Sequence, residues 1–326
     1  YMRNGRSTYF AGRGLIPVFI DCAERSPTFH LHPLDTNNSP LRLSWVQVWT
    51  DAECAGEAWR RFLGRPFRGL NTSFYHAPLV RNIEDPFLRE AALSSLAKAG
   101  DDQEALYDFS LSEENLTKRG PRPGDHGILI ALDEEMDLIM VPHSPFARFI
   151  SIFRKEGAHL TLLLAGEGAW NKADETARHM AIDPSRNSVL PFPLERKGDP
   201  LGLNRNLVLK MLLNAHSTGV MARLGRVVGN TMTHVNPSNL KLIGRATALI
   251  LSHVNDTLSR KEWKEKYGHA ESVSYAEANA VLFDAAAFLS GRDGQTAEVE
   301  LSIIRILEVL RTGNTTSWEE AEQIAG

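Results

Sequence analysis

The sequence predicts an α/β fold: a parallel sheet with helices on both faces, followed by a small all-helical C-terminal domain. Three observations predict it. Short apolar runs bounded by glycine or proline alternate with stretches of helical period between Ser7 and Phe192. The order strand, glycine turn, helix opens the chain, as it does in parallel sheets. After Asn255 the β-type runs stop and only helical segments remain.

Taken in order, Ser7 to Phe10 is a β-type run and Ala11-Gly12-Arg13-Gly14 a turn. Leu15 to Glu24 then reads as a helix. Trp45 to Trp49 is the next strand, and Asp51 is placed to cap a helix from Ala52 to Leu63. Residues 65–124 carry five prolines and no clean period, so they read as an insertion, partly loop. Two helical pieces stand out in it, Asp85 to Ala99 and Ser112 to Lys118, the second capped by Ser112. Gly127 to Leu132 is a continuous apolar run of the buried-strand type. Ser144-Pro145 starts a helix that runs to Glu156. His159 to Leu164 is a strand, Asp174 to Met180 a helix, and Ser188 to Phe192 a strand whose proline suits an edge.

Asn204 to Asn255 is the longest helical stretch. Leu207, Leu209, Met211, Leu212, Leu213 and Val220, Met221, Leu224, Val227, Val228 recur at near-helical spacing, which predicts long, well-buried helices. Asn236-Pro237 breaks the run and suits a cap and a first helical position. Read alone, this is a buried helical hairpin. Gly219, Gly225 and Gly229 suggest a kink or close backbone approach, because glycine is a poor helix former. Arg223, Arg226 and Asn230 lie among apolar neighbours and need partners. Four helices follow: Glu262 to Tyr267, Tyr275 to Leu289, Thr296 to Arg311 and Ser317 to Ala325. Ser274 with Glu277 and Ser317 with Glu320 match capping boxes.

The 326 residues suffice for one large domain, or for a core with an appendage. A net charge of -4 gives no electrostatic reason to expect nucleic acid or a membrane surface as partner. Cys22 and Cys54 are too few for a disulfide framework and point to a reducing, cytoplasmic setting. No apolar run approaches the ~20 residues of a membrane span. The chain opens on Tyr1-Met2 and enters a strand at once, which reads as a segment cut from a longer protein.

Two places have the form of a phosphate cradle, a strand end followed by a helix N-terminus: Gly12-Arg13-Gly14 and His143-Ser144-Pro145. The first lacks hydroxyls, and Arg13 there either binds an anion or points into solvent. Glu24, at the end of the first predicted helix, is either a surface carboxylate or a general acid at the mouth of the sheet. The eleven histidines show no metal-ligand spacing. A Walker motif, a GxGxxG and a nucleophile elbow are absent. No cofactor or metal is expected.

Two stretches carry a resemblance. Asp21-Cys22-Ala23-Glu24-Arg25-Ser26-Pro27-Thr28-Phe29 fits a D-A-S-E-C-P-P-T-Y/F segment. Leu207 to Leu212, Ser217-Thr218-Gly219 and Arg223 to Met232 fit LVLNML, STG and LGKVYGNLM, and Asn239 to Leu242 fits TNLKL. These resemble the SIS (sugar isomerase) domains of the N-acetylmuramic acid 6-phosphate etherases and the related glucokinase regulatory protein. The resemblance implies a SIS-type, flavodoxin-like domain over 1–255 and a helical lid over 256–326. It implies a phosphorylated sugar as ligand, a second SIS domain as partner and a sugar kinase as a further one. Glu24 stands where the etherases have their catalytic acid, and Arg226 where the family has a ligand-facing Lys.

The departures fall on the anchors. Ala11 to Ile16 replaces GTSGR, Val141 to Phe146 replaces AASGRTP, and Asp199 to Asn204 replaces GSSRMKAGT. This matches the degenerate second SIS domain of the regulatory protein. Gly12, Arg13, Gly14 and Ser144 remain as candidate ligand contacts. The etherases' second carboxylate has two matches here, Glu84 by its neighbour and Glu113 or Glu114 by distance from the next strand. The expectation is a non-catalytic sugar-phosphate-binding regulatory module. The alternative is an active etherase that releases lactate.

Overall fold

Five parallel strands form the sheet, and their order places the candidate site. The structure is a computed structural model. It describes all residues except 1–4, 30, 35–40, 181–184, 196–197, 229–230, 236, 238–239, 291, 293–296 and 326. The chain divides into two units: one comprises Tyr1–Ala23 and His32–Leu213, the other Glu24–Leu31 and Asn214–Gly326.

In the first unit, β1 (Ser7–Ala11) leads into α1 (Leu15–Phe29), β2 (Val46–Trp49) and α2 (Ala55–Leu63). Then come α3 (Ser73–Asn82), α4 (Pro86–Ala97), a 3-10 turn (Asp101–Leu106) and α5 (Glu113–Arg119). The alternation resumes with β3 (His126–Leu132), α6 (Glu135–Leu138), α7 (Pro145–Lys155), β4 (His159–Gly166), α8 (Ala169–His179) and β5 (Asn187–Pro193). Helix α9 (Leu203–Arg223) follows; the division between the units falls within α1, after Ala23, and within α9, after Leu213. The strand order is β2-β1-β3-β4-β5, all parallel. The Pro-containing β5 is an edge, as its sequence predicts.

Side-chain alternation gives the sheet two apolar faces. Tyr9, Val48, Ile128 and Ile130 pack with Leu15 and Val18 of α1, Trp59 of α2, and Leu209 and Leu213 of α9. Phe10, Trp49, Leu129 and Leu162 pack with Phe146, Phe149 and Phe153 of α7 and Ala173 of α8. Phe10 stacks on Phe149 at 5.1 Å between ring centres.

Several local expectations change. Helix α1 continues to Phe29, so Glu24 lies within it and not at its end. Asp51 does not cap α2; Cys54 holds that position, and Asp51 pairs with Arg61 at 3.1 Å. The insertion is more helical than its prolines suggest. Helix α3 carries Pro78 internally and buries no side chain, so its sequence lacks an amphipathic signal.

The second unit contains β6 (Val227–Val228), β7 (Thr231–Met232), α10 (Leu240–Ser259), α11 (Lys261–Tyr267), α12 (Tyr275–Leu289), α13 (Glu298–Thr312) and α14 (Trp318–Ala325). Val235, Leu242, Ile250, Val254, Leu282 and Val299 form its core. Helix α9 stops at Arg223, before Val227 and Val228 of the apolar pattern, and it is less buried than that pattern predicts, since Leu207 and Met211 are exposed. Gly225 adopts φ 75°, and the N–H of Arg226 bonds Met221 O at 2.9 Å while that of Gly225 bonds Ala222 O at 3.1 Å. This is a Schellman end, which requires the left-handed residue that glycine supplies. Val227 and Val228 pair instead as an antiparallel hairpin with β7. Space around Gly219 is open. Gly229 and Asn236 lie outside the described residues, and the next described helix begins at Leu240. Helix α10 passes through residues 255 and 256 without a break. Ser274 closes the predicted capping box, and Ser317 exchanges the same pair of bonds with Glu320.

Candidate functional site

In an open parallel sheet ligands bind beyond the carboxyl ends of the strands, where successive crossovers depart to opposite sides. Here that place is between β1 and β3. The turn Gly12-Arg13-Gly14 leaves β1 there, and Asp133-Glu134-Glu135 leaves β3. The Glu135 carboxylate fills the position. Its Oε1 accepts the Arg13 N–H at 2.7 Å and its Oε2 the Leu132 N–H at 3.0 Å. A Cβ on Gly12 would lie 2.1 Å from Oε1, so only glycine leaves room for the carboxylate. Glu135 is 7% exposed. Burial raises its pKa, and the bonds from Leu132 and Arg13 partly oppose the rise. The Arg13 guanidinium turns instead to Glu134, at 2.5 Å in an exposed pair. Gly14 serves packing: a Cβ there would meet Leu209 Cδ2 of α9 at 2.8 Å.

The other two anchor segments are closed by their own side chains too. Ser144 is buried; its hydroxyl donates to Leu138 O at 2.5 Å and accepts the Ala147 N–H at 3.0 Å, capping α7. The Asp199 carboxylate accepts the N–H groups of Asn204 and Arg205, both at 3.1 Å, in the first turn of α9. Arg205 pairs with Asp133, and its Nε lies 3.7 Å from Asp199. Asp133 holds φ 53°, a conformation that Asp tolerates better than most residues.

Glu24 and Arg226 belong to the second unit. Glu24 is exposed on α1. Arg226 is 4% exposed, and its Nη1 donates to Phe29 O at 2.6 Å, at the end of the same helix. Burial lowers the Arg226 pKa, and Glu300 of α13 opposes this. Glu300 is pushed up by burial and held back by Arg226. His234 Nε2 lies 3.7 Å from Glu300, and its Nδ1 is 3.1 Å from Thr233 Oγ1. Arg226 and Glu300 are therefore coupled electrostatically, with the His234 ring beside Glu300.

The candidates for a second carboxylate lie on the surface of the first unit. Glu84 is exposed between α3 and α4. Glu113 pairs with Arg148 at 2.6 Å and Glu114 with Lys118 at 2.7 Å. Among the described residues no group of three His, Cys, Asp or Glu side chains could hold a metal ion, and no helix is long and apolar enough to cross a membrane. Sequence reasoning missed Glu135, Asp133, Arg205 and Glu300. A signal for the first two existed: three acids stand directly after the buried run 127–132.

No family model matches the chain. Stretches of it are similar to curated proteins named N-acetylmuramic acid 6-phosphate etherase. One from Enterococcus faecalis is 37% identical over 93 residues, 28% of this chain and 31% of that protein. One from Crocosphaera subtropica is 48% identical over 63 residues, 19% of this chain and 20% of its own. One from Porphyromonas gingivalis is 54% identical over 43 residues, 13% of this chain and 16% of its own. The chain thus spans less than a third of the length of these relatives.

Proposed function

We propose, from the stretches it shares with the N-acetylmuramic acid 6-phosphate etherases and from its parallel-sheet fold, that this chain is a sugar-phosphate-binding SIS module without catalytic activity, regulatory in role. In this reading the phosphoryl group is held by a second SIS domain, of the same chain or of a partner, and this chain contributes Glu24, with the buried Arg226 holding the end of the helix that carries it through its bond to Phe29 O. One observation carries it: the Arg13 N–H, which a phosphate would need, is already spent on Glu135. An internal carboxylate where an oxyanion ligand would sit is an expensive arrangement for an enzyme that must bind a phosphorylated substrate there. The Ser144 and Asp199 anchors support the same reading, since each is committed to main-chain groups of its own unit. Gly12, Arg13, Gly14 and Ser144 are then closed remnants of an anchor.

Calorimetric titration of the full-length protein with sugar 6-phosphates tests this. Binding should weaken in Glu24→Gln and in Arg226→Ala, each checked for folding by circular dichroism. Absence of binding by the folded full-length protein sinks the proposal. A second reading, an active etherase, is favoured by the names of the relatives and by the exposure of Glu24 on α1. Glu24 would protonate the leaving lactyl oxygen, and a second carboxylate would take the proton whose loss drives elimination. Lactate release from N-acetylmuramic acid 6-phosphate, abolished by Glu24→Gln, would establish it in place of the first.

A further inference from the structure

We propose that Glu135 is a built-in competitor for the cradle between β1 and β3: the cradle accepts oxyanions, and this side chain keeps them out. Three features of the first unit carry the proposal. The cradle is built for an oxyanion, because two main-chain N–H groups from different strand ends, Arg13 and Leu132, converge on the two oxygens of one carboxylate at 2.7 and 3.0 Å. Gly12 is cut back for it, since any Cβ would lie 2.1 Å from the oxygen. The occupant is also poorly secured for a buried charge. The Arg13 guanidinium pairs with Glu134 in solvent, and burial acts against the charged form of Glu135.

A carboxylate and a phosphoryl group present the same oxygens to N–H donors. A free anion must therefore displace Glu135, and its apparent affinity falls by the fraction of time the cradle stands open. Withdrawing the side chain, by substitution or by a movement of the short helix α6 that carries it, opens a site for a phosphoryl or carboxylate ligand. The proposal goes beyond the function suggested above and does not depend on Glu24 or Arg226.

Inorganic phosphate is the probe, and the backbone amide resonances of Arg13 and Leu132 in a two-dimensional nitrogen–proton spectrum are the readout. In Glu135→Ala both resonances move saturably with phosphate, at an affinity about tenfold or more above that of the unaltered protein. Glu135→Asp, which keeps the charge but retracts it by one methylene, falls between the two. The amides of Ala147 and Asn204, closed by Ser144 and Asp199, stay in place in all three proteins. If the unaltered protein responds at Arg13 and Leu132 as strongly as either folded variant, Glu135 is no competitor and the proposal fails. It fails equally if the folded variants do not respond, or if Ala147 and Asn204 move as much as the cradle. Should Glu135→Ala not fold, Glu135→Asp decides alone. Failure of sugar-phosphate binding in the unaltered protein bears on the function suggested above and leaves these outcomes readable.

Discussion

Two carboxylates close the two ends of β1 by the same device, and among the described residues only one has a buried cation paired with it. At the amino end Asp125 accepts the N–H groups of Arg6 at 2.9 Å and Arg122 at 2.8 Å and pairs with the Arg42 guanidinium. The buried Arg6 side chain lies in the same network, donating to Ser44 O at 3.0 Å and Gln47 Oε1 at 3.2 Å. Gln47 in turn reaches Thr8 Oγ1 at 2.7 Å and Arg119 O at 3.0 Å. The cost of so much positive charge falls on the arginines. Burial and Arg42 lower Arg6 to about 10, with Asp125 opposing; burial, then Arg6, lowers Arg119 to about 9. At the carboxyl end Glu135 accepts the same two kinds of N–H bond, and the cost of burial falls on the carboxylate itself. The difference separates a fixed strut from an occupant that can be displaced. A carboxylate buried among guanidinium groups cannot leave without stranding them. One held by N–H groups alone can be replaced by any other oxyanion.

The comparison breaks first at Asp125. Replacing it by Ala strands the Arg6 and Arg42 charges, and should cost about 3–5 kcal/mol of unfolding free energy in urea. A loss below about 1 kcal/mol, in the range of an exposed pair, would show that Asp125 is no strut. Glu135→Ala should cost less, about 1–3 kcal/mol, because it leaves two N–H groups without their acceptor but no stranded guanidinium. If Glu135→Ala proves the more damaging of the two, the contrast is inverted.

The pH dependence sharpens the contrast without removing an atom of the scaffold. Glu135 has a native pKa raised above its ordinary value of 4.5. Between those values the native state holds the proton more tightly than the unfolded chain, so stability is greatest below about 4.5 and falls as pH rises through the native value. Asp51 adds to the rise and Arg13 opposes it. Glu300 is raised as well and contributes with the same sign. Glu135→Gln keeps Glu300, so the difference between the two proteins isolates Glu135. In urea unfolding across a pH series, the stability of the unaltered protein relative to Glu135→Gln should decline with rising pH. A gap that widens in its favour would mean that the two N–H bonds outweigh burial.

Much of this frame is legible in the sequence, because it rests on local patterns. The run 127–132 is apolar enough to be a buried strand only, and Pro191 confines β5 to an edge. Ser112, Ser144 and Ser274 cap the helices that their positions predict, because a hydroxyl three residues before an N–H needs no distant partner. Where a signal was local but double-edged, reading stopped short: Pro27 stands inside α1 and Pro78 inside α3. Gly225 looked like a packing glycine and is a helix stop. The site itself was half legible. The glycine turn and Ser144 stand out as strand-end motifs, but their occupants do not. Glu135 meets Arg13 across 122 positions of chain, and Arg205 meets Asp133 across 72. No periodicity encodes such a pairing; it exists only once β1 and β3 lie side by side.

The smallest effect separates main chain from side chain at the cradle. Arg13 contributes two groups there: its N–H holds Glu135, and its guanidinium pairs with Glu134 where both side chains are more than half exposed. Solvent screens such a pair, and ordering two long side chains offsets most of the attraction. Arg13→Ala keeps the N–H and removes only the pair, so unfolding free energy should change by less than about 0.5 kcal/mol. The Arg13 amide, now that of an alanine, should keep its hydrogen bond and its slow exchange with solvent deuterium. A large loss of stability, or rapid exchange at that amide, would show that the guanidinium holds Glu135 in place. The carboxyl end of β1 would then be a charge-pinned strut like the amino end, and the contrast between them would disappear.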